Sequence, residues 1–369
     1  MAKLPELCEI QYGYAFDSAC FTENNTYLPL VRIRDVKRGY SETFYSGNYP
    51  SDYVIDSGSL LVGMDGEFNI ARWKGGHALL NQRVCKITAK EDVNGEYIRF
   101  ALSKALKKIE NRTAFVTVKH LSAKELNQLE IDVPNYTTQT DIAKVLTQIE
   151  SIISARQQQL QKLDELVKAR FIELFGDQTA NPYAWQQTSI GACCTLKSGT
   201  SLPADKENEG GAIPYVKVGD MNYPGNEQYI TTSSRFVSEQ TAGTGVFPVG
   251  TVVFPKRGGA IGTNKKRLTR LPICADLNVM GVTAGRRLTP QYLIAYFNTV
   301  DLGTLNNGSS VPQINNNDIA PLLICIPPMA LQEQFAAFVK QTDKSKVAVQ
   351  KALDEAQLLF DSLMQKYFE

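Results

Sequence analysis

The chain has 369 residues, 43% of them apolar and 21% charged, and a formal net charge of +1. This is the composition of a globular protein, which argues against disorder and rules out a protein that is basic throughout, although charge can still be concentrated locally. The opening MAKLPELCEI is not a basic-then-apolar signal stretch, and the most apolar run, APLLICIPPMAL, is short and broken by prolines, so the cytoplasm is the expected compartment and no membrane is expected as a partner.

The predicted elements start with short runs rich in β-branched residues. LPLVRI, SLLVG and VCKIT, punctuated by Gly, Asn, Asp and Pro, read as strands, and EYIRFALSKALKKI reads as a helix. From Ile142 the period changes. Ile142, Leu146, Ile149, Ile153, Arg156, Leu160, Leu163, Val167, Arg170 and Leu174 alternate steps of four and three, the seam of a coiled coil. At 1.5 Å per residue such a helix is roughly 50 Å long, too long for a casual linker.

The pattern then begins again. CEIQYGYAF at 8–16 faces CTLKSGTSL at 194–202, LPLVRIRDV at 28–36 faces IPYVKVGDM at 213–221, and SGSLLVG at 57–63 faces VGTVVFP at 249–255. NQRVCKITA at 81–89 faces DLNVMGVTA at 276–284, EYI faces QYL in a second helix, PQYLIAYFNTV, and LEIDVP faces LLICIP. Adding 193 to the first seam gives Phe335, Val339, Thr342, Lys346, Val349, Leu353, Ala356, Phe360, Leu363 and Tyr367. A repeat of this period predicts two related α+β modules, at 1–137 and 178–330, with long helices at 138–177 and 331–369. If the second helix packs antiparallel on the first, one chain builds an internal pseudo-two-fold. The polar seam positions Arg156, Arg170 and Lys346 either fix the register, meet partner carboxylates or snorkel at the edge of the rod.

Catalytic constellations are scarce. There is no nucleophile elbow and no HExxH, and His77 and His120 are the only histidines. The seven cysteines, at 8, 20, 85, 193, 194, 274 and 325, form no CxxC pair and read as reduced, buried thiols. RGGAIGTNKKR lacks the spacing of a phosphate loop, and NPYAW at 181–185 lacks the second proline of an amino-methyltransferase motif. Asp17 with Asp35, Val36 and Lys37 imitates a metal-dependent nuclease site, but the second copy has Asp220, Met221 and Asn222 without the lysine.

What remains is cations and an aromatic on loops, suited to phosphate and to base edges. The candidates for DNA binding are Arg32, Arg34, Lys37, Arg38, Tyr40, Arg72, Lys74 and Lys119 in the first module. In the second they are Lys217, Lys256, Arg257, Lys265, Lys266, Arg267 and Arg270. The first module carries 17 basic and 17 acidic residues, the second 12 and 9. Asn306, Asn307 and Asn315 to Asn317 read as turn formers, though asparagine also pairs with adenine edges.

In their doubled order, the CxLxxG-like opening, the IPYVKVGDM strand, the glycine loop, IPPMALQEQF and the long helix resemble the specificity subunit of type I restriction-modification enzymes. NPYAWQQTSIGACCTLKSG is similar to the start of that family's second recognition domain. The resemblance covers nearly the whole chain. It implies two target recognition domains on an antiparallel coiled coil that reads a bipartite, asymmetric double-stranded DNA target and catalyses nothing itself. Its half-sites would lie about 34 to 36 Å apart, one turn of the duplex. Methyltransferase subunits would bring S-adenosylmethionine and methylate adenine, and a restriction motor subunit would bring ATP and Mg, with no cofactor on this chain. A metal-dependent nuclease, or a coiled-coil scaffold without DNA contact, stays as the alternative. The first module has no counterpart of NPYAW: either the returning C-terminus at QKYFE covers that edge, or the true start lies upstream of Met1.

Overall fold

The computed structural model describes residues 1–112, 119–208, 210–305 and 312–369. Packing divides them into two units, Met1–Gln157 with Lys351–Glu369, and Gln158–Gln350. The division falls within the long helices and not at their ends, because each helix half packs into a module's own apolar core.

In the first unit, Cys8–Tyr12, Val84–Ala89, Leu60–Gly63 and Ile70–Arg72 form an antiparallel sheet in that spatial order. A second sheet runs Phe21–Thr22, Phe44–Tyr45, Leu28–Val31, Ala78–Leu80, Val54–Ile55. Its centre is parallel, with Leu30 opposite Leu79 and Val31 opposite Leu80. The strands Leu60–Gly63 and Ala78–Leu80 are buried throughout, which explains the runs LLVG and ALL with no polar alternation.

The second unit repeats the plan. Cys194–Ser198, Val279–Ala284, Thr251–Pro255, Arg267–Thr269 and Tyr229–Ile230 make one sheet, and Phe236–Val237, Ile213–Val216 and Cys274–Ala275 the other. Tyr215 and Val216 again pair in parallel, with Cys274 and Ala275. The glycine of each CxLxxG-like opening has a shared cause. A Cβ on Gly13 would lie 2.0 Å from the Asn81 carbonyl oxygen, and one on Gly199 would lie 2.2 Å from that of Asp276. Only glycine lets the backbone pass so close as it leaves one sheet for the other.

The module helices are Gly95–Arg112 and Pro290–Thr299. Asn94 Oδ1 accepts the N–H groups of Glu96 and Tyr97 at the start of the first, and Thr289 Oγ1 that of Tyr292 in the second. The long helices are Tyr136–Phe175 and Met329–Phe368. Within the first unit Ile142, Leu146 and Ile149 are buried with Met364, and Phe360, Leu363, Tyr367 and Phe368 pack on the same core. The start of one helix therefore meets the end of the other, antiparallel. In the second unit Phe171 and Phe175 meet Phe335 and Val339 in the same manner. Burying each such side chain contributes about 1.5–3 kcal/mol.

The end of Met329–Phe368 packs on the first module. Phe368 stacks on Tyr97 with ring centroids 5.2 Å apart, and Glu369 pairs with Lys104 at 2.7 Å. In the second unit Phe175 takes the corresponding place on Tyr292, at 4.7 Å. Of the polar seam residues, Lys346 pairs with Asp164 at 2.5 Å, and Arg170 pairs with Glu173 at 2.7 Å.

Candidate nucleic-acid interface

The repeated sentence LPLVRIRDV/IPYVKVGDM is a strand, a cation, one helical turn and a buried aspartate. Asp35 Oδ2 accepts the backbone N–H of Arg32 at 2.9 Å, and Asp220 Oδ2 that of Lys217 at 2.7 Å. The carboxylate closes the turn and so aims the cation. This accounts for the aspartate in both copies and corrects the nuclease-like reading: Asp35 is 1% exposed and bonded to its own helix start, while Asp17 Oδ1 caps a short helix through the N–H of Ala19. Among the described residues no group of His, Cys, Asp and Glu is placed to hold a metal ion.

In the first unit Arg32 and Arg34 line a cleft of about 440 Å³ with Phe16, Phe21, Gln82 and Arg83. Arg34 donates from a terminal nitrogen to Thr43 Oγ1 at 3.4 Å, and its Nε lies 3.7 Å from Asp35 Oδ1. Lys37 and Arg38 end the same helical turn at Gly39, which has a left-handed φ of 79° and whose missing Cβ leaves room for the Lys74 side chain against it. Lys37, Arg38, Tyr40 and Lys74, all exposed, thus share one corner, with Arg38 3.9 Å from Glu42. Arg72 does not join them: it bonds Glu96 and, at 2.6 Å, the Gly58 carbonyl, in a separate pocket. Lys119 pairs with Glu110 at 3.4 Å.

The second unit spends more of its cations internally. Lys266 is 6% exposed and donates to the carbonyl of Val300 at 2.6 Å and to Asn264 Oδ1 at 2.8 Å, at the end of the helix Pro290–Thr299. Burial pushes its ammonium down to about 8. A cation there complements the helix dipole, so Lys266 is an architectural residue. Arg267 donates to the carbonyls of Asn226, Lys266 and Met221 and holds a loop together. Arg270 lies 3.7 Å over the Tyr229 ring and pairs with Asp343 at 3.3 Å, tying the module to its helix. Lys217 pairs with Glu207 at 2.6 Å, Lys256 donates to Ser198 Oγ at 3.0 Å, and Lys265 donates to Asn222 Oδ1. Arg257 is exposed, with Nε on Gln313 Oε1 at 3.3 Å. Of the asparagines, Asn315 opens the short helix Asn316–Ile319; Asn306 and Asn307 lie outside the described residues.

Reading the sequence missed Asn81, Gln82 and Arg83. They form the tight turn before Val84–Ala89, closed by Val84 N–H on the Asn81 carbonyl at 2.9 Å, and Gln82 and Arg83 face the cleft. The signal was present: NQRV and DLNV align, yet differ in every polar side chain, as a surface turn does when its surroundings demand different contacts.

Two copies of one α+β module, each packed on the ends of the long helices and each with an exposed arginine on a turn, define a duplicated two-module protein. The chain belongs to the type I restriction modification DNA specificity domain family, whose model matches residues 1–165 and 182–356. The type I restriction enzyme EcoBI specificity subunit of Escherichia coli is 37% identical over 166 residues, 45% of this chain and 35% of that protein, so the match spans about a third of the relative's length. The S subunit of the type I restriction-modification system of M. genitalium aligns over 100% of this chain and 95% of its own, with a TM-score of 0.61 and 15% identity. A structure described as the basis of complex assembly and conformational transition of the type I R-M system aligns over 100% and 97%, with a TM-score of 0.56 and 17% identity. Both structural likenesses concern the fold.

Proposed function

We propose that this chain is the non-catalytic, DNA-reading subunit of a type I restriction-modification complex. The observation that carries the reading is the duplicated turn in which Asp35 and Asp220 hold the backbone N–H of Arg32 and of Lys217, on two modules of the specificity-domain family. Each module lays lysines and arginines on the phosphates and meets base edges with a few side chains, so that binding is driven by counterion release and specified by the turns. Because the two copies share a fold but differ in those turns, the target is bipartite and asymmetric, with unread bases between its halves. The long helices act as spacer and docking surface. Partner methyltransferase subunits supply S-adenosylmethionine and modify adenine, and a restriction subunit supplies ATP- and Mg-dependent chemistry. The complex works on cytoplasmic DNA.

The test is coexpression with a type I methyltransferase subunit from the same source, and mapping of modified adenines by single-molecule sequencing, with a catalytically dead methyltransferase as control. A new two-part motif with a fixed gap is expected, and exchange of 178–330 is expected to change one half only. A complex that forms and yields no motif overturns the reading role and leaves a scaffold.

A further inference from the structure

The two modules share a corner at which one side-chain exchange has taken place. In the first unit the chain leaves Leu60–Gly63 through Met64 and Asp65. Met64 N–H donates to the Arg83 carbonyl at 2.9 Å, Leu121 N–H donates to the Met64 carbonyl at 2.7 Å, and Asp65 bridges to His120. In the second unit the chain leaves Thr251–Pro255 through Lys256 and Arg257. Lys256 N–H donates to the Asn278 carbonyl at 2.8 Å, Ile314 N–H donates to the Lys256 carbonyl at 2.9 Å, and Arg257 bridges to Gln313. Gly66 N–H on the Lys119 carbonyl and Gly258 N–H on the Pro312 carbonyl, both at 2.9 Å, complete the correspondence. Asp65 therefore stands where Arg257 stands, and Arg83 where Asn278 stands.

Each corner carries one outward arginine, supplied from opposite sides of the same backbone ladder. Arg83, with a side chain 52% exposed, has Nε 3.4 Å from Asp65 Oδ2, and Asp65 is held in turn by His120 Nδ1. Arg257 has Nε 3.3 Å from Gln313 Oε1, and Gln313 is held by donating to Asn315 Oδ1 at 2.7 Å. Asn278, in contrast, turns inward onto Asp276 at 2.6 Å. A guanidinium with an acceptor beside Nε has its two terminal nitrogens left as a fork, the geometry that bonds O6 and N7 of guanine. A mere phosphate contact needs charge but no such fork, and lysine provides it equally.

We infer that Arg83 and Arg257 are corresponding specificity residues, each reading a guanine in its module's half-site. The inference rests on the reading role proposed above and names its residues. The first module's turn reads from the strand-entry side at Arg83, and the second module's from the strand-exit side at Arg257. This divergence lets one fold address two different half-sites.

The experiment is the same adenine mapping in the full complex, with Arg83→Ala, Arg83→Lys, Arg257→Ala and Arg257→Lys. Each alanine variant is expected to lose about tenfold or more of the preference for guanine at one position of one half, with the other half unchanged. The lysine variants are expected to relax the same position. An unchanged motif overturns the inference; so does an even loss of methylation over all sites that lysine restores, which marks a phosphate contact. If a substitution at Arg83 prevents assembly, Asp65→Asn leaves the arginine in place without its charged hold, and unaltered stringency at every position then counts against the inference. A wild-type complex with no two-part motif overturns the reading role itself, and the inference with it.

Discussion

Gln139 accepts on Oε1 the backbone N–H of Asn94 at 2.8 Å while its Nε2 donates to the Pro134 carbonyl at 2.9 Å. One buried side chain thereby joins the start of the first long helix to the cap of the module helix. Gln332 repeats it: Oε1 accepts from Thr289 N–H at 2.9 Å, and Nε2 donates to the carbonyls of Arg287 and Pro327 at 2.9 and 3.0 Å. The amide suits the place because it is donor and acceptor at once, and a carboxylate or a methyl group there would leave buried backbone groups unpaired.

Substituting Gln139 or Gln332 by Ala is expected to cost about 1–3 kcal/mol each, since buried partners are left unsatisfied. Glu at either position keeps the acceptor, loses the donor and should be as damaging. Urea unfolding of the full chain measures this, and a loss below about 0.5 kcal/mol, the range of a featureless surface site, would contradict the role.

The cations separate into two kinds that experiment can tell apart. Lys266→Met and Arg267→Ala should lower thermal stability and leave the salt dependence of DNA binding as it is, because both side chains serve backbone carbonyls. Arg32→Ala and Lys74→Ala, which are exposed, should leave stability within about 0.5 kcal/mol and reduce the slope of log affinity against log salt by about 1 each. The opposite allocation would mean that the interface lies on another face of the module.

Alkaline pH should destabilise the first unit through its buried acids. Burial pushes the Cys8 thiol up to about 11, the Cys85 thiol to about 12 and the Tyr97 phenol to about 12. In the unfolded chain a thiol ionises near 8.5, so above that pH the unfolded state binds fewer protons and stability falls with rising pH. This stabilisation is complete below about pH 8.5 and is lost as pH rises towards the folded values. Thermal unfolding between pH 8 and 11 should decline less steeply in a Cys8→Ala, Cys85→Ala variant. Parallel curves for variant and wild type would show that the thiols do not carry the effect.

The heptad of hydrophobics, the doubled order of segments and the CxLxxG-like glycines were legible because each answers to a local rule. Seam spacing follows from the helix period, and every seam position along Tyr136–Phe175 is buried or half-buried. From a list of lysines and arginines, in contrast, charge alone does not distinguish Arg32, which faces a cleft, from Lys266, which neutralises a helix end. The difference arises where Lys266 meets the Val300 carbonyl 34 residues away.

The sequence by itself therefore determined the repeat, the two long helices with their shared seam and the resemblance to the family, since periodicity and order survive without coordinates, whereas the antiparallel meeting of the helix ends came from their packing. Tertiary structure alone decided which cations are free. It brought Arg83 beside Asp65 and Arg257 beside Gln313, pairs separated by 18 and 56 residues, at one backbone corner. Side-chain direction at such a corner depends on which ladder strand supplies the residue and which acceptor holds it, and neither has a period along the chain.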